Sequence, residues 1–486
     1  MQNMKNKENG VIGGLFWSFA ERISAQLVSA IVTIVLARLL DPEHYGIVAI
    51  VTVFISILNV FVTSGPGSAL VQKKEADEID FNTAFIIGES VSVVLYILLF
   101  FVAPFIADFY GMDELTALLR VMGVRLLIAD VNSIQHAYIR RKMEFKRFFW
   151  ATFFGTVLSG VVGICLAYLG YGVWALAAQY LTNVFVDTIM LFIIGGWIPK
   201  FQFSIKKAKE IWTFGWKVLA SHLVSTVESS ARSLLIGKVF SSEDLAFYNQ
   251  GEKYPGLLIN NVNSSIARVM LPVYSKKQDD IESLVLSLRN SIRMAVYLLA
   301  PMLIGLAAVS NNFVSIVLTD KWLSAVPFMQ IFCFGLLMNP LSTACQQALL
   351  AICKSDTMLV CTIFSNCVSF AGILIAAFAL KSAMWIALIS LVTTVLSLIV
   401  VLSCANRYLH YKFKQQMADI FPSLIVALAM GAMVYTISFI DLKPILCMLI
   451  QIIAGVALYL LMSALFKLEQ YTNLKRFLAK YIRVKN

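Results

Sequence analysis

The sequence predicts an all-α fold, a polytopic bundle of membrane-spanning helices. Hydrophobic residues make up 59% of its 486 residues and charged residues only 14%, whereas soluble domains carry about 25% charged residues. Many windows of roughly 20 residues are almost wholly apolar, which is the length that a helix needs to cross the hydrocarbon core. The alternating pattern of a membrane β-barrel strand is not seen in the sequence.

Short connections divide the sequence into fourteen predicted transmembrane segments. Each is long enough to cross the bilayer at 1.5 Å per residue. The segments lie at 11–37, 45–69, 82–107, 115–138, 148–169, 172–196, 211–239, 245–273, 285–318, 325–352, 358–380, 382–404, 420–440 and 445–466.

Lysine and arginine are concentrated in every second connection, which sets the orientation by the positive-inside rule. With a cytoplasmic N-terminus, only Arg38, Lys321, Lys381 and Lys443 fall in the external connections. An even number of spans then places both termini in the cytoplasm. The net charge of +11 is therefore explained by topology, and we expect no nucleic-acid partner.

Cysteine and histidine positions indicate neither a disulfide framework nor a metal site. All eight cysteines lie within apolar segments or at their edges, and the four histidines are scattered. We therefore expect no metal and no cofactor. The apolar stretch after Lys7 runs from Val11 to about Leu36, which is too long for the apolar core of a signal peptide.

A weak internal repeat indicates how the segments are grouped. Residues 36–43 align with residues 236–243 at an offset of 200, and Trp17 corresponds to Trp216. Paired bundles of this kind place a substrate site at the repeat interface, near the membrane midplane. The predicted organisation is an N-terminal six-helix lobe at 1–209, a C-terminal six-helix lobe at 210–406, two additional helices at 407–466 and a basic cytoplasmic tail at 467–486.

The second segment of each predicted lobe contains a polar interruption. Glycine and proline loosen a helix, and freed backbone groups at that depth need protein or water nearby. Packing of small residues between helices is an equally good explanation. The predicted helix interruptions are Gly65, Pro66 and Gly67 in the first lobe and Asn260, Asn261 and Asn263 in the second.

Ionisable residues occur in the middle of several segments, where each costs about 2.5–3.5 kcal/mol on insertion scales. Polar residues follow one helical face in the first and seventh segments, which suggests a wet cleft between lobes. Cations in such a cleft would suit a pyrophosphate or an acidic sugar. The candidate substrate-cavity residues are Glu21, Arg22, Arg125, Asp130, His222, Glu228, Arg232, Lys253 and Arg268.

Each of these groups also has a structural explanation. Glu228 with Arg232, and Arg125 with Asp130, are candidate ion pairs between or along helices. His222 suits a packed or cleft-lining position better than a proton relay. Outside the candidate set, Glu89 and Asp187 also lie within spans, and Arg289 and Arg293 are expected to snorkel towards the cytoplasmic surface.

Several motifs, in order and spacing, resemble the polysaccharide transport branch of the MOP exporter superfamily, which contains the Wzx-type O-antigen and capsule flippases. They cover about residues 10–290, and the remainder is similar mainly in span count. The motifs are Leu39-Leu40-Asp41-Pro42 through Tyr45-Gly46, Ala69-Leu70-Val71-Gln72, Arg141-Lys142-Met143-Glu144-Phe145-Lys146, Tyr171-Gly172-Val173-Trp174-Ala175-Leu176, Phe214-Gly215-Trp216 and Leu271-Pro272-Val273 to Asp279.

The resemblance implies a flippase of the bacterial cytoplasmic (inner) membrane for surface polysaccharide, including lipopolysaccharide O-antigen and capsule. Its substrate would be an undecaprenyl-pyrophosphate-linked oligosaccharide repeat unit, moved from the inner to the outer leaflet by alternating access around a central cavity. The superfamily makes H⁺ or Na⁺ a candidate coupling ion. The family has no short catalytic signature, so the site residues above rest on polarity alone.

Two alternatives belong to other classes. A multidrug cation antiporter of the same superfamily would be expected to have an acidic cavity, whereas cations are at least as prominent here. A membrane-embedded polysaccharide polymerase or ligase usually has a large external loop, and this sequence has none. A P-loop pump is excluded for this chain because the GxxxxGK[ST] motif is absent. We therefore expect a transporter and not an enzyme.

Overall fold

The computed structural model describes residues 2–64, 70, 76–142, 144–195, 197–440, 442–472 and 475. Within these ranges every regular element is helical, which confirms the all-α fold class. At some helical positions only the backbone is described, and these include Arg22, Glu228 and Arg268.

The first half of the chain forms long helices joined by short turns. Pro42 occupies the first turn of α2, where its missing N–H costs nothing. A reciprocal capping box between Asp77 and Asp80 begins α3, and Gly111 ends it in the left-handed conformation (φ 70°). The helices are α1 (Gln2–Leu39), α2 (Pro42–Thr63), α3 (Glu78–Tyr110), α4 (Glu114–Gly123), α5 (Arg125–Lys142), α6 (Phe145–Tyr168), α7 (Val173–Gly195) and α8 (Ile205–Val239).

The second half continues in the same way. Two helices extend into short turns of other helical types, a π turn at Ala376–Leu380 and a 3₁₀ turn at Ile437–Phe439, and a further 3₁₀ turn at Asp320–Ala325 precedes α11. The helices are α9 (Ser242–Ser275), α10 (Ile281–Val317), α11 (Val326–Leu336), α12 (Asn339–Ala351), α13 (Ser355–Ile375), α14 (Ala383–Leu409), α15 (Phe413–Thr436) and α16 (Pro444–Leu465).

Contacts divide the chain into an N-terminal unit, residues 1–245, and a C-terminal unit, residues 246–486. The division between the units comes after α8, whereas the predicted lobe boundary at residue 209 would separate α8 from the N-terminal lobe. The helix belongs to the N-terminal unit because it packs against α2 and α3. The predicted lobes were defined by the internal repeat, and their boundaries stay a prediction.

The helix ends follow the repeat offset. The first helix of each repeat ends at Leu39 and Val239, and the second begins at Pro42 and Ser242. These two turns also touch, because a Cβ placed on Gly46 would lie 1.8 Å from the carbonyl oxygen of Ser242. A glycine is therefore required where α2 crosses the start of α9.

Ten helical stretches of the described chain are long and apolar enough to cross a membrane. They are α2, α3, α6, α7, α10, the stretch Asp320–Ala351, α13, α14, α15 and α16.

The predicted count of fourteen spans is therefore not confirmed. The four remaining segments, at 11–37, 115–138, 211–239 and 245–273, are helical but more polar than the others. These same segments hold all nine candidate charged and histidine residues, which explains their lower hydropathy. The segment at 115–138 is also divided near Val124 into α4 and α5.

Candidate functional site

The candidate residues of α1 lie near the middle of that helix, which packs along α6. Glu21 is partly buried, and its backbone carbonyl accepts a hydrogen bond from Ser24 Oγ (3.1 Å). The side chain of Arg22 lies outside the described part of the structure. The predicted polar face of α1 therefore stays a prediction.

On α5 the candidate residues Arg125 and Asp130 do not pair. Arg125 is partly buried and lies within electrostatic range of Tyr180 on α7. Asp130 is 0% exposed and contacts Gly88 of α3. Five residues along a helix place the two side chains on different sides, so the alternative of an Arg125–Asp130 ion pair is wrong.

On α8 the structure places His222 at an exposed position and Arg232 at a partly buried one. The side chain of Glu228, between them in sequence, lies outside the described part. The candidate pair Glu228–Arg232 is consequently untested. Because the His222 side chain is exposed, it is not packed in this structure, and a cleft-lining position stays a prediction.

On α9 the predicted polar interruption does not break the helix. The helix runs without a break through Asn260, Asn261 and Asn263. The amide of Asn261 donates back to the carbonyl of Leu257 (3.1 Å), so it is satisfied within its own helix. Lys253 of the same helix is exposed.

The remaining candidate residues cannot be placed. Gly65, Pro66, Gly67 and the side chain of Arg268 lie outside the described residues.

Sequence reasoning missed a polar cluster between α5 and α7. Asn132 Nδ2 donates to Asp187 Oδ2 (2.5 Å) and to Thr188 Oγ1 (3.1 Å). His136 Nε2 lies 3.4 Å from the same carboxylate oxygen. Both helices carry polar residues in the sequence, but nothing in it shows that these residues meet.

A second missed cluster surrounds Asp419 in the C-terminal unit. Arg289 makes a bidentate pair with this carboxylate (2.7 and 3.0 Å), and Arg293 Nε donates to Oδ1 (2.6 Å). The Tyr411 hydroxyl donates to Oδ2 (2.8 Å). Burial, with the Asp419 hydrogen bond, raises the pKa of the Tyr411 phenol above its usual range. Both arginines bind a buried counter-charge, which the sequence analysis did not foresee, and their snorkelling towards the cytoplasmic surface stays a prediction.

The connection between α7 and α8, residues 197–204, is fastened to the N-terminal unit by fully buried side chains. Asn82 Oδ1 accepts from the backbone N–H of Lys200 (2.9 Å), and Thr83 Oγ1 accepts from that of Ser204 (3.2 Å). Gln135 Nε2 donates to the carbonyl of Trp197 (2.8 Å). This connection lies just before the predicted lobe boundary at residue 209, and its anchorage is internal to the N-terminal unit.

A salt bridge extends this anchorage into α8. Lys207 contacts the carboxylates of both Asp77 and Asp80, the two residues of the α3 capping box. The hydrogen bond from Lys207, followed by the backbone N–H of Asp80, lowers the pKa of Asp77 below its ordinary value of 3.8.

An apolar cleft of about 470 Å³ opens in the C-terminal unit between α10, α15 and α16. A Cβ on Gly305 would meet no atom within 4 Å, so this glycine leaves open space in the cleft wall. Gln451 is a polar lining residue and is engaged by Asn312 (3.0 Å). The wall includes Pro301, Gly305, Val309, Met430, Gly455 and Tyr459. Such a cleft suits a hydrocarbon chain.

Two curated proteins similar to this chain are named for the biosynthesis of teichuronic acid and of lipopolysaccharide. The chain is 28% identical over 301 residues to the teichuronic acid biosynthesis protein TuaB of Bacillus subtilis (strain 168), a match that covers 60% of each chain. It is 22% identical over 438 residues to the lipopolysaccharide biosynthesis protein WzxC of Escherichia coli (strain K12), which covers 86% of this chain and 87% of that protein.

Solved structures show the fold. The lipid II flippase MurJ in an inward closed conformation superposes with a TM-score of 0.75 at 16% identity, covering 93% of this chain and 98% of that one. An inward-facing multidrug resistance MATE family transporter of the MOP superfamily gives a TM-score of 0.59 at 17% identity, covering 80% and 96%.

A family model described as polysaccharide biosynthesis protein matches residues 35–327, which is more than half of the chain. The matched region contains nearly all of the motifs that suggested the polysaccharide transport branch. Because this family model matches more than half of the chain, the chain belongs to the polysaccharide biosynthesis protein family.

Proposed function

We propose that the chain is a flippase for lipid-linked oligosaccharides. It would move undecaprenyl-pyrophosphate-linked repeat units from the inner to the outer leaflet of the bacterial cytoplasmic membrane, with both chain termini in the cytoplasm. Family membership supports a place in polysaccharide biosynthesis. The names of the relatives, teichuronic acid and lipopolysaccharide biosynthesis proteins, indicate glycans of the cell envelope as the product class.

The apolar cleft is the observation that carries the lipid part of this proposal. Its lining is almost wholly apolar, and Gly305 leaves open space in its wall. A branched prenyl chain needs a wider channel than a straight acyl chain, because a methyl group projects from every unit. Small residues in the wall provide that width.

The more polar helices support the proposal that the glycan head group crosses within the protein. A sugar hydroxyl moved into hydrocarbon without a hydrogen bond costs about 2–7 kcal/mol, so the head group requires a polar path. The helices α1, α8 and α9 contain the polar residues that apolar spans lack. Cations such as Arg232 and exposed Lys253 would bind the pyrophosphate by charge-assisted hydrogen bonds.

Translocation needs no bond to be made or broken, so this function requires no catalytic residue. The step is a population shift between inward-open and outward-open states, biased by ligand binding. A polymerase or ligase would need a nucleophile or general base positioned at the glycan. We therefore propose a transporter and not an enzyme.

The test is deletion of the gene and complementation with matched variants. Gly305→Phe places a ring in the open space of the cleft, whereas Ile453→Phe adds the same ring to a residue of α16 that is 69% exposed. We expect the deletion strain to lose surface glycan and to accumulate lipid-linked repeat units on the cytoplasmic leaflet. Ile453→Phe should restore surface glycan and Gly305→Phe should not.

Two outcomes would contradict the proposal. Full restoration by Gly305→Phe, at equal protein level, would remove the cleft from the lipid path. Normal surface glycan in the deletion strain, with new sensitivity to cationic drugs, would favour the multidrug antiporter instead.

A further inference from the structure

Glu89 of α3 and Asp130 of α5 are two carboxylic acids within electrostatic range of each other inside the N-terminal unit. Asp130 is 0% exposed, and in the described part of the chain neither of its carboxylate oxygens has a hydrogen-bond partner. Glu89 is partly buried, and its Oε2 is likewise buried without a partner there. Buried polar atoms are otherwise almost always hydrogen-bonded, so this pair calls for a bound species.

Helix packing holds the Asp130 carboxyl in place. A Cβ on Gly88 would lie 1.8 Å from Asp130 Oδ1 and 2.4 Å from its Cγ, so the carboxyl rests against the backbone of α3. The nearby Gly88 carbonyl is occupied, because it accepts the hydroxyl of Ser92 (2.9 Å). Asp130 therefore points at the turn that carries Glu89.

Charged groups on the other packed helices are engaged elsewhere. On α7, Asp187 is bound by Asn132 and His136, and Tyr180 faces Arg125.

Among the described side chains, the remaining helices offer no nearer partner. On α4, Arg120 donates to the carbonyl of Phe100 (3.1 Å). The charged residues of α2 and α6 lie at their helix starts, at residues 43–44 and 146–147. On α8, His222 is exposed and Arg232 has its own interactions. Of the charged side chains that the structure describes, Glu89 is the one that acts on Asp130.

A proton fits this site better than a metal ion. Two neighbouring carboxylates disfavour each other's ionisation, and no counter-ion for them is found among the described side chains, so the pair favours a bound proton. A hard metal ion would need about six oxygen ligands. Within the described residues no group of three or more His, Cys, Asp or Glu could hold a metal.

We propose that Glu89 and Asp130 form a proton-binding site, and that its proton is exchanged with water during the transport cycle. The O–H bond of the carboxyl forms when a proton arrives and breaks when it leaves, and no electron is transferred. The role in the cycle rests on the proposed flippase function. Proton binding itself does not.

Infrared spectroscopy of the purified full-length protein, without glycan, tests the binding site. A protonated carboxyl gives a C=O stretching band that an ionised carboxylate lacks. We expect a band in the wild-type protein that weakens as pH is raised and that Asp130→Asn removes. Glu89→Gln should shift the frequency and the pH midpoint of that band, while Glu78→Gln, an exposed acid of the same helix, should change neither.

The infrared result can overturn the site in three ways. A band that survives Asp130→Asn would place the proton elsewhere. If that variant does not fold, a band left unchanged by Glu89→Gln would show that the two acids do not act together. Loss of the wild-type band on adding Na⁺ at constant pH would assign the site to a metal ion.

Translocation in proteoliposomes tests the role in the cycle. Collapsing an imposed proton gradient should change the wild-type rate by about tenfold or more, and should leave the rate of Asp130→Asn unchanged. Equal gradient dependence in both proteins would remove the site from the cycle. A protein that moves no glycan at all would contradict the flippase function, while the infrared band would still decide the proton site.

Discussion

Asp419 shows how one residue can organise a region of the C-terminal unit. Its carboxylate is fully buried and accepts hydrogen bonds from Arg289, Arg293 and Tyr411. Arg293 also donates to Glu469, beyond the last long helix (2.6 Å). A buried charge is tolerated when it is paired and fully hydrogen-bonded, as it is here.

Removing this carboxylate should destabilise the protein. In Asp419→Ala, two guanidinium groups lose their shared counter-charge, and breaking a buried pair costs about 3–5 kcal/mol. The lower part of that range applies, because the side chains of Arg289 and Arg293 are 24% and 21% exposed. Thermal unfolding of the purified protein in detergent measures the loss.

Glu469→Gln provides the matched control for the Asp419 variant. Its carboxylate is 63% exposed and, within the described residues, accepts a hydrogen bond from Arg293. An exposed pair contributes about 0–1 kcal/mol, so Tm should change little. Equal losses in Asp419→Ala and Glu469→Gln would contradict the central role of Asp419.

The sequence predicted which charged residues lie inside the spans, but it did not predict which residues they bind. Helical spacing predicts neighbours three or four residues apart on one helix. Arg289 and Asp419 are 130 residues apart, and Asn132 and Asp187 are 55 apart. Pairs at such separations follow from how helices pack, which periodicity does not specify. The residue types were therefore predictable, and the sites that they form were not.

At the scale of elements, the glycine contact between the two repeat turns is the clearest constraint. Gly46 lies against the backbone of Ser242. A Cβ added to Gly46 would lie 1.8, 2.3 and 2.8 Å from the O, C and Cα atoms of Ser242. All three are backbone atoms, which a rotamer change cannot move away. The close contact with Ser242 therefore explains why a glycine occupies position 46 of the motif.

Gly46→Ala should force α2 away from the start of α9. Overpacking of this kind costs about 1–3 kcal/mol. Gly305→Ala is the matched control, because its Cβ meets no atom within 4 Å. Tm in detergent should fall for Gly46→Ala only, and equal Tm values for the two variants would show that α2 and α9 adapt without cost.

The salt bridge between Lys207 of α8 and Asp77, at the start of α3, should stabilise the fold in a pH-dependent way. The pKa of Asp77 is lowered in the folded state, chiefly by Lys207, so its contribution is present above the unfolded pKa and is lost as pH falls through the folded value. Asp77→Asn should therefore lower Tm at neutral pH, and its difference from the wild type should shrink at a second, acidic pH well below the ordinary pKa of 3.8. A Tm difference of the same size at both pH values would contradict this linkage.

Long apolar helices were predictable because each carries its own signal of length and hydropathy. The turns at residues 40–41 and 240–241 also followed from the repeat, and the structure places helix ends there. The division into α4 and α5 was not predicted, because the sequence analysis assigned both helices to the single segment 115–138. Packing of α8 against α2 and α3 likewise has no sequence signal.

For the whole molecule, the number of spans decides the topology around α8 and α9. Ten described stretches satisfy a hydropathy criterion, whereas fourteen segments were predicted from sequence. Ten spans and fourteen spans both place the two termini on the same side of the membrane, so locating the termini cannot distinguish the two topologies. Locating the connection between α8 and α9 can.

A reporter fusion ending at residue 240 should be external if α8 crosses the membrane, and one ending at residue 277 should be cytoplasmic again. We expect alkaline phosphatase activity for the first and green fluorescence for the second. Cytoplasmic signals from both fusions would mean that α8 and α9 do not cross. A fusion at residue 200 serves as the cytoplasmic control.

The apolar cleft of the C-terminal unit has walls tied together by hydrogen bonds. Tyr459 donates to the carbonyl of Tyr297 (2.8 Å), Asn312 donates to Gln451 (3.0 Å), and Arg289 binds Asp419 where α10 and α15 begin. These bonds cross between the helices that form the walls, so the width of the cleft is set by the protein and not by its occupant. A cleft of fixed width discriminates between lipid chains by their cross-section and not by their length. Under the proposed flippase function, prenyl carriers with fewer isoprene units should therefore be transported as readily as longer ones, whereas a carrier with bulkier branches should not be transported.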